Sequence, residues 1–320
     1  MSRSLSFRRD GTFTIVQFTD LHWQNGEPKD LRTRDLMEKV LSSEKPDLIA
    51  FTGDMIYSLN SAEPRRSLRE ALSVAAGSGI PWAAVFGNHD SEKAVTRQDL
   101  MRTMRELPGC LAEPGPADVD GVGNYVIRVR YGSGKIGAAL FFLDTGAKSS
   151  IPAIPGYDWI RTSQIDWYLE EKAKLTGENG GTVVPSLAFF HIPLPEYEEV
   201  WHTQVCYGHR HERAACPKVN SGFFAAMEAG GGALGAFCGH DHINDYGGKL
   251  LETELYYGRA SGYQAYGRWG YARGARIIRL KLGKPGFDTW VRLHDGRVID
   301  SPPVHRPWLY WLKEKIRSRF

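Results

Sequence analysis

The chain has 320 residues, 42% of them hydrophobic, which is enough to bury a core without staples and points to one domain over 1–302 and a short tail over 303–320. A net charge of +3 gives no footing for a polyanion, so a nucleic-acid partner is not expected. No apolar stretch approaches the roughly 20 residues that span a bilayer, and the first residues lack a signal peptide's apolar segment, which makes the cytoplasm the expected location.

FTIVQF (13–18) reads as a strand, followed by a helix over Asp30–Ser43 with apolar residues at Leu31, Leu36, Val40 and Leu41. The pattern repeats: strand DLIAFT (47–52), helix Pro64–Ala76, strand PWAAVF (81–86), and a helix over Asp90–Leu107 capped by Asp90 or Ser91. After a Gly/Pro-rich turn, Asn124–Val129 and Ile136–Leu143 read as an antiparallel pair. A helix over Thr162–Leu175 leads to VVPSLAFF, and one over Gly222–Ala229 leads to ALGAFC; LLETELYYG, ARIIRLKL and DTWVRLH follow as strands. Runs this apolar suit strands covered on both faces. The expected fold is α/β, two packed sheets with helices outside them. Four cysteines make no disulfide framework. Cys110 and Cys238 suit buried thiols, and Cys206 and Cys216, which flank a His-rich loop, would bridge only in an oxidising compartment.

Five places share one form, an apolar run broken by Asp, His or Asn: QFTDLH, AFTGD, VFGNHD, AFFHIP and AFCGHDH. Ligands collect at the carboxyl ends of strands in α/β sheets, so Asp20, His22, Asp54, Asn88, His191, His240 and His242 are expected to converge in one crevice. Imidazole, carboxylate and amide oxygen together suit Mn, Fe, Zn or Co rather than Mg or Ca. Seven candidates exceed the four of a tetrahedral structural zinc. Two ions about 3.5 to 4 Å apart, sharing a carboxylate and a water, would use them all, generate hydroxide near neutral pH and neutralise a phosphoryl group under in-line attack. His89, beside Asn88, is placed to protonate the leaving oxygen. Each motif alone has a plainer reading: GD as a turn, GNHD as a capped helix start, a single buried His as a core residue. Five in order, each after a strand, outweigh those readings.

In this order D-x-H, GD, GNHD, an isolated His after an apolar strand, and GH-x-H resemble the calcineurin-like metallophosphoesterase superfamily, over Asp20 to His242. The resemblance implies a four-layer α/β/β/α sandwich of two mixed sheets, the metallo-dependent phosphatase fold, filling 1–302. It assigns one ion to Asp20, His22, Asp54 and His242 and the other to Asp54, Asn88, His191 and His240, with Asp54 bridging. FFHIPLPEY, NSGFF, FCGHDHIND and GYQAYGRWGYARGARII are similar to its purple-acid-phosphatase-like branch. True purple acid phosphatases have Gly where this chain has His22, and take a ligand from the Tyr of GD-x-x-Y, here Tyr57. With His22 present, Tyr57 is expected to line the site without binding metal.

Asn88, His89, Tyr57, Asn244 and Tyr263 are the candidate substrate contacts; Asp245, Tyr266, Glu196 and Tyr197 lie near motifs and are read equally as loop structure. His202, His209 and His211 read as a solvated loop before a further metal site. The tail PWLYWLKEKIRSRF puts Trp308, Trp311, Leu312 and Ile316 on one helical face opposite Lys and Arg. Packing on its own domain is favoured over contact with a membrane surface. The expected activity is hydrolysis of phosphate monoesters. The competitors are a phosphodiesterase acting on nucleotides or lipid head groups, a metal-stabilised binding protein without catalysis, and, more weakly, a nuclease.

Overall fold

The structure is a computed structural model and describes residues 5–92, 95–132 and 134–308. Strand β1 (Leu5–Ser6) opens the larger sheet, while β2 (Thr12–Phe18), β3 (Leu48–Thr52) and β4 (Trp82–Val85) run parallel in the smaller one. Helix α1 (Pro28–Glu44) joins β2 to β3; α2 (Pro64–Ala71) and α3 (Ser73–Gly77) join β3 to β4. After α4 (Arg97–Arg105) the chain enters the larger sheet through the antiparallel pair β5 (Tyr125–Tyr131) and β6 (Lys135–Phe142). It continues with α5 (Thr162–Glu178), β7 (Ser186–Phe189), α6 (Glu196–Thr203), β8 (Cys206–Tyr207), α7 (Phe223–Gly230) and β9 (Ala233–Cys238). A hairpin, β10 (Gly247–Leu250) and β11 (Thr253–Tyr257), precedes β12 (Gly274–Lys281), which returns to pair with β2. Strands β13 (Phe287–Leu293), β14 (Val298–Ile299) and β15 (Val304–His305) finish the described chain.

The sheets have the orders β14-β13-β12-β2-β3-β4 and β1-β5-β6-β7-β9-β11-β10-β8-β15. Both are mixed and flanked by helices, giving the expected α/β/β/α sandwich. Strands β2, β3 and β4 therefore end side by side in one sheet, and β7 and β9 do so in the other.

The inner face of the larger sheet carries a row of directly opposed rings. Tyr125, Phe142, Phe189 and Phe237 stack at centroid distances of 4.9, 5.0 and 5.5 Å, and Tyr256 extends the row at 6.1 Å. Each such side chain contributes about 1.5–3 kcal/mol by leaving water. At the end of the row the Tyr125 hydroxyl crosses to β4, accepting from the Ala84 N–H at 3.0 Å and donating to its carbonyl at 2.8 Å. It satisfies backbone groups that an edge strand would otherwise leave unpaired. Gln17 ties the sheets nearer the motif loops, its Nε2 donating to Thr52 Oγ1 at 2.8 Å and to the Cys238 carbonyl at 3.0 Å.

Several expected elements are corrected. The Pro64–Ala76 helix breaks at Leu72, which leaves helical geometry at ψ 0°. LLETELYYG is a hairpin arm and part of its partner, turning at Leu251 and Glu252. The helix over Asp90–Leu107 begins at Arg97, capped by Thr96, whose side chain accepts from the Asp99 N–H. His202 lies on α6 and not in a loop. Cys206 and Cys216 are free thiols, and burial pushes Cys206 up to about 12. The tail residues Trp311, Leu312 and Ile316 lie outside the described residues, and Trp308 is exposed.

Asp90 is no helix cap because its carboxylate is used elsewhere. Fully buried, it accepts the N–H groups of Gly87 at 2.7 Å, Ile56 at 2.9 Å and Asp54 at 3.0 Å, fastening the loop after β4 to the loop after β3. Asp90→Asn would turn one acceptor into a donor and strand at least one buried N–H. The expected cost is about 1–3 kcal/mol, read as a lower urea midpoint with unchanged slope and accompanied by reduced metal content. An unchanged midpoint would show that the clamp contributes nothing.

Candidate metal centre

The seven residues expected to converge do so, all at most 8% exposed, where the two sets of strand ends meet. Loops after β2, β3 and β4 bring Asp20, His22, Asp54 and Asn88; loops after β7 and β9 bring His191, His240 and His242. Holding side chains this close bends the backbone sharply. Asp20, His22, Asp54 and His240 all have left-handed φ, between 50° and 79°. For residues other than glycine this costs on the order of 1 kcal/mol or more each. Hydrogen bonds offset the strain: the His240 N–H donates to both Asp20 oxygens at 3.1 and 3.2 Å, and the His22 N–H donates to the Asp54 carbonyl at 2.9 Å. The motif glycines are needed for close approach, since a Cβ on Gly53 would lie 2.5 Å from His191 Nδ1 and one on Gly87 would overlap the Asp54 carboxylate.

The donors fall into two groups that share Asp54. Asp20, His22, Asp54 and His242 each offer one ligand atom, all mutually within 4.8 Å, and Asp54, His191 and His240 do the same. Asn88 joins the second group, its Oδ1 lying 3.1 Å from His191 Nε2. Asp54 Oδ2 stands between them, 3.4 Å from His22 Nε2 and 3.2 Å from His191 Nε2, without a hydrogen bond among the described residues.

These contacts favour a positive charge. His191 Nδ1 lies 2.8 Å from the Thr52 carbonyl, which can only accept, so Nδ1 carries the proton. Its Nε2 then faces two acceptors, Asp54 Oδ2 and Asn88 Oδ1. His240 Nδ1 also lies 3.2 Å from that Nε2, and a cation among these groups would offset the Asp54 charge and the opposed lone pairs together. Burial alone would drive the His191 imidazolium down, but the Asp54 carboxylate outweighs it and lifts the group to about 9. Burial likewise opposes ionisation of Asp20, and His242 outweighs it to hold the carboxyl at about 2. Burial, reinforced by His191, pulls His240 to about 3, leaving the neutral imidazole that a metal needs. Paired anions, the neutral imidazole of His240, a His191 ring whose second proton a metal ion would replace, an amide oxygen and an unpartnered bridging carboxylate oxygen fit two cations.

Above the donors lies a cleft of about 390 Å³ lined in part by His22, Asp54, His240 and His242, with Tyr57 and His89 in its wall. The His89 N–H donates to Asp54 Oδ1 at 2.8 Å, and its carbonyl accepts from the Ser58 N–H at 3.0 Å and hydroxyl at 2.7 Å. Its Nδ1 is 3.0 Å from Glu92 Oε2, leaving Nε2 as the nitrogen available for proton transfer. Tyr57 packs edge-on at 5.0 Å from the His89 ring and 5.8 Å from His22.

Two expected substrate contacts lie elsewhere. Asn244 is fully buried, its Oδ1 accepting from the His211 and Glu212 N–H groups and its Nδ2 donating to the Glu212 carbonyl. Tyr263 packs on α1, with the Arg32 guanidinium 4.0 Å over its ring. Asp245 is paired with Arg259 at 2.6 Å, Glu196 accepts from Asn220, and the Tyr197 hydroxyl donates to the Ala236 carbonyl. His209 and His211 pack against Tyr271, and no metal-binding group among the described residues includes them. Tyr266 does line the cleft, with residues that the sequence did not mark: Tyr157, edge-on to His240 at 4.4 Å, Glu212 and Arg213. Only Glu92 left a readable signal, an acid three residues after His89.

The comparisons agree with this geometry. Residues 13–244 match the family described as calcineurin-like phosphoesterase. The chain is 37% identical to "Probable inactive purple acid phosphatase 29" of Arabidopsis thaliana, over 93% of this chain and 87% of that protein. It is 35% identical to "Phosphatase DCR2" of Saccharomyces cerevisiae, over 89% of this chain and 54% of that one. A dimetal phosphatase from Danio rerio shares the fold, with a TM-score of 0.55 at 12% identity, covering 87% of this chain and 98% of its own. With its motifs matched in order and its donors gathered around Asp54, the chain belongs to the calcineurin-like phosphoesterase family and resembles purple acid phosphatases within it.

Proposed function

We propose that this phosphoesterase hydrolyses phosphate monoesters with two transition-metal ions drawn from Mn, Fe, Zn and Co, His89 protonating the leaving oxygen. The observation that carries the reading is Asp54 Oδ2, buried without a hydrogen bond between two donor groups, with one more imidazole, that of His89, in the cleft wall. Asp20, His22, Asp54 and His242 would hold one ion, and Asp54, Asn88, His191 and His240 the other. Ions there supply a water of lowered pKa and offset the charge on the phosphoryl group. The protein's share is to exclude bulk water from the buried donors and to aim His89. Its backbone is held by hydrogen bonds on both sides, and the Glu92 carboxylate 3.0 Å from Nδ1 steers the ring by charge, which would place Nε2 to give a proton to the leaving alkoxide. Among the relatives that match about nine-tenths of the chain, the yeast protein's name, Phosphatase DCR2, favours monoesters over diesters, while the name of the Arabidopsis protein, probable inactive purple acid phosphatase, speaks for the reading without catalysis that the assays below separate from it.

Protein purified without added metal should carry about two equivalents of transition metal, lose activity on chelation and regain it with Mn, Fe or Zn. It should show no purple band, because Tyr57 lines the cleft without ligating; a purple band would move Tyr57 into the metal shell. One equivalent or none, with no restored activity, would favour a binding protein without catalysis. His89→Ala should lower kcat on p-nitrophenyl phosphate by about 10²–10⁴ with metal content intact. Unchanged turnover would remove the acid role. A preference for bis(p-nitrophenyl) phosphate over the monoester would replace the monoesterase reading with a diesterase.

A further inference from the structure

The loop between β8 and α7 presents Arg213, an exposed side chain in the wall of the cleft whose floor holds the metal donors. Its setting is rigid on both sides. Asn244 Oδ1 accepts the N–H groups of His211 and Glu212 at 2.9 and 3.2 Å. Beyond Arg213, the Ala214 N–H donates to Glu198 at 2.6 Å, and the Ala215 N–H to Asp241 Oδ2 at 3.1 Å. Four backbone groups around one residue are thus fixed by three buried or half-buried side chains, Asp241 within the GHDH motif, Asn244 two residues after it and Glu198 on α6. Preorganising a loop in this way lowers the ordering cost of whatever its tip binds.

The neighbouring acids are already engaged. Glu212 accepts from the Tyr266 hydroxyl at 2.9 Å through each oxygen and from the Ile243 N–H at 3.0 Å. Glu198 holds Arg210 at 2.5 Å as well as Ala214. Arg213 itself forms no ion pair or hydrogen bond with the described residues, so its planar, permanently charged fork is open to a carboxylate or phosphate. Its place also sets which anion it meets. The donors that would hold the reacting phosphoryl group are buried, whereas Arg213 is exposed at the rim of a cleft of about 390 Å³. A phosphoryl group, a few waters in size at ~30 Å³ per water, fills only part of that space.

We propose that Arg213 is a specificity-determining residue that binds a second anionic group on the alcohol part of the substrate. The preferred esters are then phosphomonoesters carrying a further carboxylate or phosphate. This rests on the phosphomonoesterase reading of the site, and binding tests it apart from turnover. Metal-loaded wild-type protein, R213Q and R213K are titrated calorimetrically with phenylphosphonate and with its 3- and 4-carboxy derivatives, which cannot be hydrolysed. The wild type should bind a carboxylated probe about tenfold more tightly than phenylphosphonate, R213Q should bring that ratio to about one, and R213K should retain part of it. If the ratio in R213Q equals that of the wild type, or if the wild type shows no preference for either derivative, the proposal is overturned. An equal loss for all probes overturns it too, since Arg213 would then hold the reacting phosphoryl group itself. Parallel assays of wild-type turnover on phenyl phosphate judge the hydrolase reading independently: tight, Arg213-dependent binding without turnover would retain the anion site and reject the hydrolase.

Discussion

Asp54 is a carboxylate buried without solvent at the seam of two sheets, its free oxygen facing imidazole nitrogens from both sides. A buried anion without compensating charge costs several kcal/mol or more, and imidazole lone pairs turned towards it add repulsion. Much of the local architecture answers this constraint. Four ligand residues adopt left-handed backbone, glycines stand where a Cβ would strike a ligand, and Asp90 gathers three N–H groups so that the β3 and β4 loops cannot separate. Burial with the nearby Asp54 charge holds Asp90 up to about 6, so a second anion presses on the same spot. Cations at the centre would offset both negative charges at once.

The donors come from both sheets, so the site is also a fastening between them. Asp20, His22, Asp54 and Asn88 belong to the smaller sheet, and His191, His240 and His242 to the larger. Ions shared across that seam would join the halves at the strand ends, while Tyr125 and Gln17 join them by hydrogen bonds. Arg276 of β12 adds a third tie, donating from Nε to the Tyr257 carbonyl at 2.6 Å. The rigidity that keeps the imidazoles aimed is the rigidity of two sheets pinned at several points, as a preorganised charge site requires.

The sequence shows the floor of this site and hides its rim, for a physical reason. Ligands on strand ends inherit the regularity of strands: an apolar run followed by Asp or His is visible at each of β2, β3, β4, β7 and β9, and all seven donors were legible. Misreadings occurred where a local signal was used for a distant purpose. Asp90 looks like a helix cap but serves backbone groups 34 and 36 residues away. Asn244, next to the GHDH motif, looks like a substrate contact but holds a loop more than thirty residues earlier in the chain. Arg213 and Tyr157 sit in loops without periodicity, where neither spacing nor composition says which way a side chain faces.

Floor and rim therefore answer to different constraints. The floor is fixed by charge balance among buried groups, where loss of one partner leaves another uncompensated. Change there is strongly disfavoured whether or not the protein turns over substrate. The rim includes a loop whose buried or half-buried anchors, Asn244, Asp241 and Glu198, hold backbone and leave side chains such as Arg213 unconstrained. Substitution at such a tip alters what the cleft admits without disturbing the charges below it. A complete metal floor is thus compatible with different substrates, and the chemistry of the ester has to be sought in the loops that carry Tyr57, Tyr157, Arg213 and Tyr266 around the cleft.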